Sequence, residues 1–415
     1  EKKMNIQTSK SITANLAVFT VCNIAYLPKA LVLADSLARH HQTRLKVIVF
    51  DRKQELKPQP ITVDIIWLED LGFAEWKQLA FIYDIIEFST SLKPFIALKL
   101  LETHSKVIFL DPDTAVYSSL SPIEKDLDTH PVVLTPHYLR PQPDTEDESD
   151  LGMMRFGSFN LGFFAVRKGD QASYFLNWWH RRCVDFCFME SQFGLSTDQK
   201  WVSIAPCFFD FLKVSFNPGY NAAPWNTFER RLTSKQGDRY LVNGDFPLIF
   251  FHFSNFDHED PQYLNKRASC ETTVKYELLE ELGLDYSRKL KQYEASFARF
   301  PYTYDYMSDG SYISPTLRRA FVSVKKGLPL DTDPFDSNGY VGAFARKNGL
   351  LIKGDQVRYR YPGLRDAKSN GKILTLIYWC MRLLIRILGP NRFYDLSKLM
   401  IYLSSYRRHK NLWKN

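Results

Sequence analysis

Two aspartates stand one residue apart in Val107-Ile-Phe-Leu-Asp111-Pro-Asp113-Thr, directly after a run of apolar residues. In extended chain, residues i and i+2 point to the same side, so both carboxylates can face one cation. A divalent ion held there bridges to diphosphate oxygens and neutralises their charge while a leaving group departs. The plainer reading is that the two aspartates cap a turn after a strand. Two other acids and a lysine invite the same question. Asp51 ends an apolar run, Asp198 follows Ser196-Thr197, and Lys93 opens an apolar helical stretch. Asp198 can serve as the N-cap of a helix over Gln199–Ile204, and Lys93 as a solvated helix start.

The elements that must carry these groups follow from apolar patterning. Residues 16–22 form a continuous apolar run, expected for a strand covered on both faces. Lys29 to His40 has apolar residues at helical spacing, and residues 45–50 form a second strand, giving a βαβ unit. A strand over Val63–Leu68, helices through Phe88 and from Lys93 to Glu102, and a strand over Lys106–Leu110 repeat the alternation. Phe159–Val166 reads as a strand or turn, Ala172–Met189 as a helix, and Leu248–Phe253 as the last clear strand. The segment Arg140–Asp150 is acidic and proline-broken, a surface loop or a substrate lid. The fold class is therefore α/β with a mostly parallel sheet and flanking helices, followed by a helical C-terminal extension. Ligands of such sheets sit beyond the carboxyl ends of the strands. Thr20 to Asn23, Asp51 and Asp111 to Thr114 all lie at such ends.

Further motifs follow in a fixed order. Leu92-Lys93-Pro94 precedes Leu110-Asp-Pro-Asp113; then come Phe159-Asn160-Leu-Gly162-Phe, Asp198-Gln199-Lys-Trp201, Pro218-Gly-Tyr-Asn221 and Phe251-His252-Phe-Ser254. This order resembles GT-A glycosyltransferases, most closely family 8 and a related bacterial group, over roughly residues 16–257. The resemblance implies a GT-A, Rossmann-like domain that moves a sugar from a nucleotide-diphosphate donor to an acceptor hydroxyl. It implies Asp111, Asp113 and His252 as ligands of Mn²⁺ or Mg²⁺, a donor set that suits these ions. Without the motif order, a histidine between aromatics reads as a packed core residue. The resemblance also places Asn160, Gly162 and Asn221 along the donor pocket and Asp198 and Gln199 beside the donor sugar as catalytic residues. It places Lys93 at the diphosphate, and Thr20 and Asn23 in the first-strand loop at the nucleoside. Asp51, at the neighbouring strand end, is a further donor-binding candidate. Two positions depart from family 8. No acid stands near Cys22, and Ser254-Asn255-Phe256 replaces the usual Gly and Lys after the late histidine. A phosphatase of the haloacid-dehalogenase type competes for the Asp-x-Asp. Its pattern wants Thr four residues after the first Asp, where this chain has Ala115.

Composition sets the wider frame. An apolar fraction of 45% with 15% aromatics supplies a large core and excludes a mainly disordered chain. The net charge is +8, yet nine of the 54 Lys and Arg and only one of the 46 Asp and Glu lie from Lys372 onward. The preceding part is neutral, which speaks against a nucleic-acid binder and for one local contact with an anionic surface. Within the apolar stretch Ile373–Leu388, Thr375, Arg382 and Arg386 fall within about 40° of helical arc. Two arginines make a spanning helix costly. An interfacial amphipathic helix is expected instead, against docking on the protein's own body or on a second copy as a homodimer. The six cysteines are expected as buried free thiols of a reducing compartment, and the polar first fifteen residues are not read as an export leader. These features assemble into a catalytic domain over 12–260, a helical extension over 261–370 and a basic tail over 371–415. The expected setting is cytoplasmic, peripheral at the inner membrane face, with a glycan or lipid-linked acceptor in cell-surface glycan or glycolipid synthesis. A catalytically silent sugar-nucleotide-binding or scaffold protein is the alternative.

Overall fold

The computed structural model describes residues 15–56, 63–141, 150–237, 239–260, 276–294, 301–352 and 371–404. They belong to two compact units, Glu1–Phe73 with Ile86–Tyr302 and Ala74–Ile85 with Thr303–Asn415.

In the first unit seven strands build the main sheet. They are β1 (Leu16–Cys22), β2 (Leu45–Val49), β3 (Asp64–Trp67), β4 (Lys106–Leu110), β5 (Val132–Pro136), β6 (Phe159–Arg167) and β7 (Leu212–Val214). Their order is β7-β5-β6-β4-β1-β2-β3, with β6 antiparallel to β4 and β5 and every other pair parallel. All of β1 is buried, as expected of a run without polar alternation at the middle of a sheet. Helix α1 (Leu27–His40) starts with Pro28 in its first turn, where a missing N–H costs nothing. It buries Ala30, Leu31, Leu33, Ala34 and Leu37, the spacing of one helical face. Helices α2 (Lys93–Leu101) and α3 (Asp170–Phe186) pack against each other. The Phe109 ring lies 5.0 Å from Phe19 and 5.3 Å from Phe164, and Trp179 of α3 meets Phe164 edge-on at 5.0 Å. Each such buried ring contributes about 1.5–3 kcal/mol by leaving water. Helix α4 (Tyr276–Glu294) buries Leu279, Leu282, Tyr286 and Leu290 in one cluster with Leu31, Phe251 and Phe253.

Several boundaries differ from the sequence reading. The helix expected to reach Met189 ends at Phe186. The last strand shrinks to Phe250–His252 and leaves the main sheet to pair antiparallel with Thr114–Val116. Leu248 and Ile249 are spent elsewhere, their N–H groups donating to Tyr240 O and Gly219 O. The helix after Asp198 is one turn, Gln199–Val202. Cys22, Cys183 and Cys187 are buried as expected, but Cys207 and Cys380 are exposed, and Cys270 lies outside the described residues. Most of the acidic 140–150 segment lies outside them too.

In the second unit, Arg318 of α5 (Pro315–Val324) is buried and ties down the helix Trp76–Ile82. Its guanidinium donates to the carbonyls of Ala80, Phe81, Tyr83 and Tyr304 at 2.8–3.0 Å and pairs with Asp305 at 3.0 Å. Two further helices follow, α6 (Gly371–Leu388) and α7 (Pro390–Ser404). No helix among the described residues is long and apolar enough to cross a membrane.

Candidate active site

Asp111 and Asp113 leave the carboxyl end of β4 with Pro112 between them, whose ring fixes its own φ and narrows the turn. The antiparallel insertion of β6 brings Asn160 to Gly162 alongside, and Asp111 N–H donates to Gly162 O at 2.8 Å. Pairing of His252 with Thr114 then carries the imidazole to the same place. Its Nε2 lies 3.1 Å from Asp113 Oδ1 and 3.7 Å from Asp111 Oδ2. One ligand atom from each of the three residues falls within 4.8 Å of the others, the arrangement of a metal site. Burial opposes charge on His252, but Asp113 and Asp111 outweigh it and raise its pKa. Burial likewise works to raise the Asp113 carboxyl, yet His252 and Lys29 hold it down at about 2. Two carboxylates and an imidazole so focused on one point fit a divalent cation in charge and donor type.

Lys93 is buried at the start of α2, and its Nζ donates to Leu161 O at 2.8 Å. It sits 3.3 Å from Asp111 Oδ1, 3.4 Å from Asp198 Oδ2 and 4.7 Å from the Phe109 ring centre. Burial disfavours its charge, but the two carboxylates raise its pKa. Lys93 is thus no solvated helix start, and its ammonium is engaged by two carboxylates and a carbonyl. Asp198 is buried and makes no side-chain cap to the helix after it. Its Oδ1 accepts from the Thr197 hydroxyl at 3.1 Å, and burial raises its pKa against the pull of Lys93. Thr197 has φ of 47°, a conformation that a β-branched residue adopts only at about 1–3 kcal/mol.

Asn160 and Asn221 complete this network. Asn160 Oδ1 accepts from Gly162 N–H at 3.0 Å and from Asn221 Nδ2 at 3.1 Å. Asn221 has φ of 53°, tolerable for asparagine, and its Oδ1 has no hydrogen-bond partner among the described residues. The ideal Cβ of a residue at 162 would lie 2.5 Å from the His252 ring, so the glycine is required by the histidine packed on it.

Three residues here escaped the sequence reading. His137, just past β5, lies 3.3 Å from Asn160 Nδ2, and burial keeps it neutral by lowering its pKa to about 4. Its place beyond a strand end was the available signal. Trp225 meets His252 edge-on at 5.5 Å. Arg230, fully buried, donates to the carbonyls of Asn221 at 2.8 Å and Pro136 at 3.0 Å and to that of Tyr220. In sequence it is one of an Arg-Arg pair that looks like solvated surface.

Thr20, Asn23 and Asp51 gather at the carboxyl ends of β1 and β2. Asp51 Oδ2 accepts from Ile24 N–H at 2.7 Å, Asn23 Oδ1 accepts from Tyr26 N–H at 3.2 Å, and the buried Thr20 hydroxyl has no hydrogen-bond partner among the described residues. Gln199 turns elsewhere, its Nε2 donating to Phe156 O at 3.0 Å. A cavity of about 920 Å³, lined among others by Ser36, Tyr117, Tyr240, Glu281 and Lys289, includes none of these residues. The site is therefore marked by its chemistry and not by cavity size.

No protein-family model matches the chain. It is 26% identical to YfnF of Bacillus subtilis (strain 168) over 176 residues, 42% of this chain and 58% of that protein. It is 26% identical to YfnD of the same strain over 223 residues, 52% of this chain and 69% of that protein. The match thus spans little more than half the length of YfnF. Among solved structures it is similar to the galactosyltransferase LgtC in complex with donor and acceptor sugar analogues. That match has 16% identity and a TM-score of 0.40 and covers 69% of this chain and 97% of that one. It is also similar to the glycosyltransferase GlyE of Streptococcus pneumoniae TIGR4, with 18% identity, a TM-score of 0.37, and 70% and 67% of the two chains covered. Mouse xyloside xylosyltransferase 1 follows with 12% identity, a TM-score of 0.36, and 58% and 98% covered.

Proposed function

We propose that the chain is a metal-dependent glycosyltransferase that moves a sugar from a nucleotide-diphosphate donor to an acceptor hydroxyl. The observation that supports this reading best is one contact network at the end of β4. In it Asp111 belongs both to the Asp113–His252 cluster and to the buried Lys93–Asp198 pair. Asp111, Asp113 and His252 would hold Mn²⁺ or Mg²⁺, which when bound supplies positive charge for the departing diphosphate. Lys93, within 3.3 Å of Asp111 and 3.4 Å of Asp198, fixes the two carboxylates relative to each other. Asp198 then addresses the sugar, by hydrogen-bonding its hydroxyls or by taking the acceptor proton. Asn160, Gly162 and Asn221 frame the pocket, Gln199 is kept as a catalytic candidate beside the donor sugar, and Thr20, Asn23 and Asp51 serve the nucleoside end. The reading extends to a glycan or lipid-linked acceptor, a role in cell-surface glycan or glycolipid synthesis, and a peripheral position at the inner face of a membrane. The catalytic domain is proposed to span 12–260, with the extension and tail beyond it.

A panel of nucleotide sugars screened by thermal shift with Mn²⁺, followed by donor hydrolysis, tests this directly. Turnover should vanish in EDTA, and Asp113→Ala should lose about 100-fold or more while keeping its fold. Full activity in EDTA would defeat the metal assignment. Asp198→Asn should lower kcat by about 100-fold with little change in nucleotide affinity. Nucleotide-sugar binding without any turnover would return the chain to a silent binding role.

A further inference from the structure

The helical pair at the end of the chain presents to solvent what other helices bury. Helices α6 and α7 meet through Gly389, whose φ of 76° suits glycine, and touch one another. Tyr378 and Trp379 are each 59% exposed and Ile387 is 70% exposed, while Leu396, Leu399 and Met400 of α7 are exposed as well. At about 100° per residue, Thr375, Arg382 and Arg386 form one narrow stripe on α6, with Trp379 and Tyr378 at its margins. Leu376, Ile377, Leu384 and Ile387 occupy the opposite side.

We infer that this helical pair is a lipid-docking surface for an anionic bilayer leaflet. It beds the Leu376–Ile387 side of α6 into the acyl boundary, and the basic stripe stays among the head groups. Three features select this occupant. The apolar arc is too wide to be stable in water, the two arginines on α6 keep it from spanning, and no described helix qualifies as a span. Between Thr375 and Ser404 four bases, Arg382, Arg386, Arg392 and Lys398, face a single acid, Asp395. That excess complements acidic lipid, whereas a second copy would bring like charges together. Trp and Tyr at the margin of the stripe suit the head-group depth, where an amphipathic ring has both environments.

The test is sedimentation of the full chain with vesicles of phosphatidylcholine alone or with about 30% phosphatidylglycerol. The chain should pellet with the acidic vesicles only, and at least tenfold less at high salt. Arg382→Glu/Arg386→Glu should lose at least tenfold at low salt with unchanged helix content by circular dichroism. Leu384→Glu/Ile387→Glu should lose binding at either salt concentration. Equal recovery in the supernatant with both vesicle types overturns the inference, as does undiminished binding by the charge-reversed variant. A dimer formed without lipid and dissolved by Leu384→Glu also overturns it and assigns the face to a second copy. Donor hydrolysis in solution, followed on the same proteins, reports on the glycosyl-transfer reading separately.

Discussion

Gly162 is the smallest residue of the site and among the most constrained. Its neighbour is the His252 ring, with an added Cβ falling 2.5 Å from Cε1 and 2.6 Å from Nδ1. Neither the ring nor the Asn160 amide 2.8 Å away has a flexible end to swing aside. Gly162→Ala should therefore displace the imidazole from Asp113, weakening Mn²⁺ binding at least about tenfold and destabilising the fold by about 1–3 kcal/mol. Calorimetric titration of Mn²⁺ checks this, and an unchanged affinity would show that His252 is not a ligand. The same scale explains Lys93. An ammonium shared between the half-buried Asp111 and the buried Asp198 holds the two carboxylates in a fixed geometry.

At the scale of elements, the site is made by two departures from a simple parallel sheet. Antiparallel β6 enters between β4 and β5, and the short pair Thr114–Val116 with Phe250–His252 stands outside the main sheet. Together they bring three chain segments to the end of β4, where Asp111 begins the turn. The second unit has its own fastening in Arg318. Replacing it by Met would remove four hydrogen bonds to the carbonyls of Ala80, Phe81, Tyr83 and Tyr304. Hydrogen bonds from a buried guanidinium are costly to lose, so Arg318→Met should destabilise the helix Trp76–Ile82 by about 3 kcal/mol or more. Amide exchange across 74–85 should accelerate by about 100-fold. Unchanged exchange there would mean that apolar contacts such as Phe81 with Phe321, at 4.8 Å, hold that helix by themselves.

For the whole molecule, charge is divided unevenly, with 45 bases and 45 acids before Lys372 and the entire +8 after Gly371. The described tail side chains are already largely exposed, so removing them uncovers little new apolar surface. A chain ending at Gly371 should therefore melt within about 2 °C of the full chain, and the proposed metal-dependent donor hydrolysis should persist in it. Differential scanning fluorimetry and a hydrolysis assay decide it. A large drop in Tm would show that the helical pair packs into the fold. Lack of activity with an unchanged Tm would give the tail a part in the reaction.

The sequence by itself determined what is local. The buried strands at 16–22 and 106–110 and the helix face of α1 were legible because their apolar residues recur with the period of the element that buries them. The pair Asp111 and Asp113 was legible because one strand end supplies both carboxylates. The identity of the late histidine came from motif order, but only the tertiary pairing of Thr114 with His252 puts the imidazole 3.1 Å from Asp113. The resemblance placed Lys93 at the diphosphate, but its protein partners were not legible. Its partners at 111, 161 and 198 are distant in sequence, and no periodic pattern encodes such a meeting. Arg230 and Arg318 gave no signal in the sequence for the same reason. Each is buried because backbone carbonyls from separate segments converge on it, and that convergence exists only once the chain has folded.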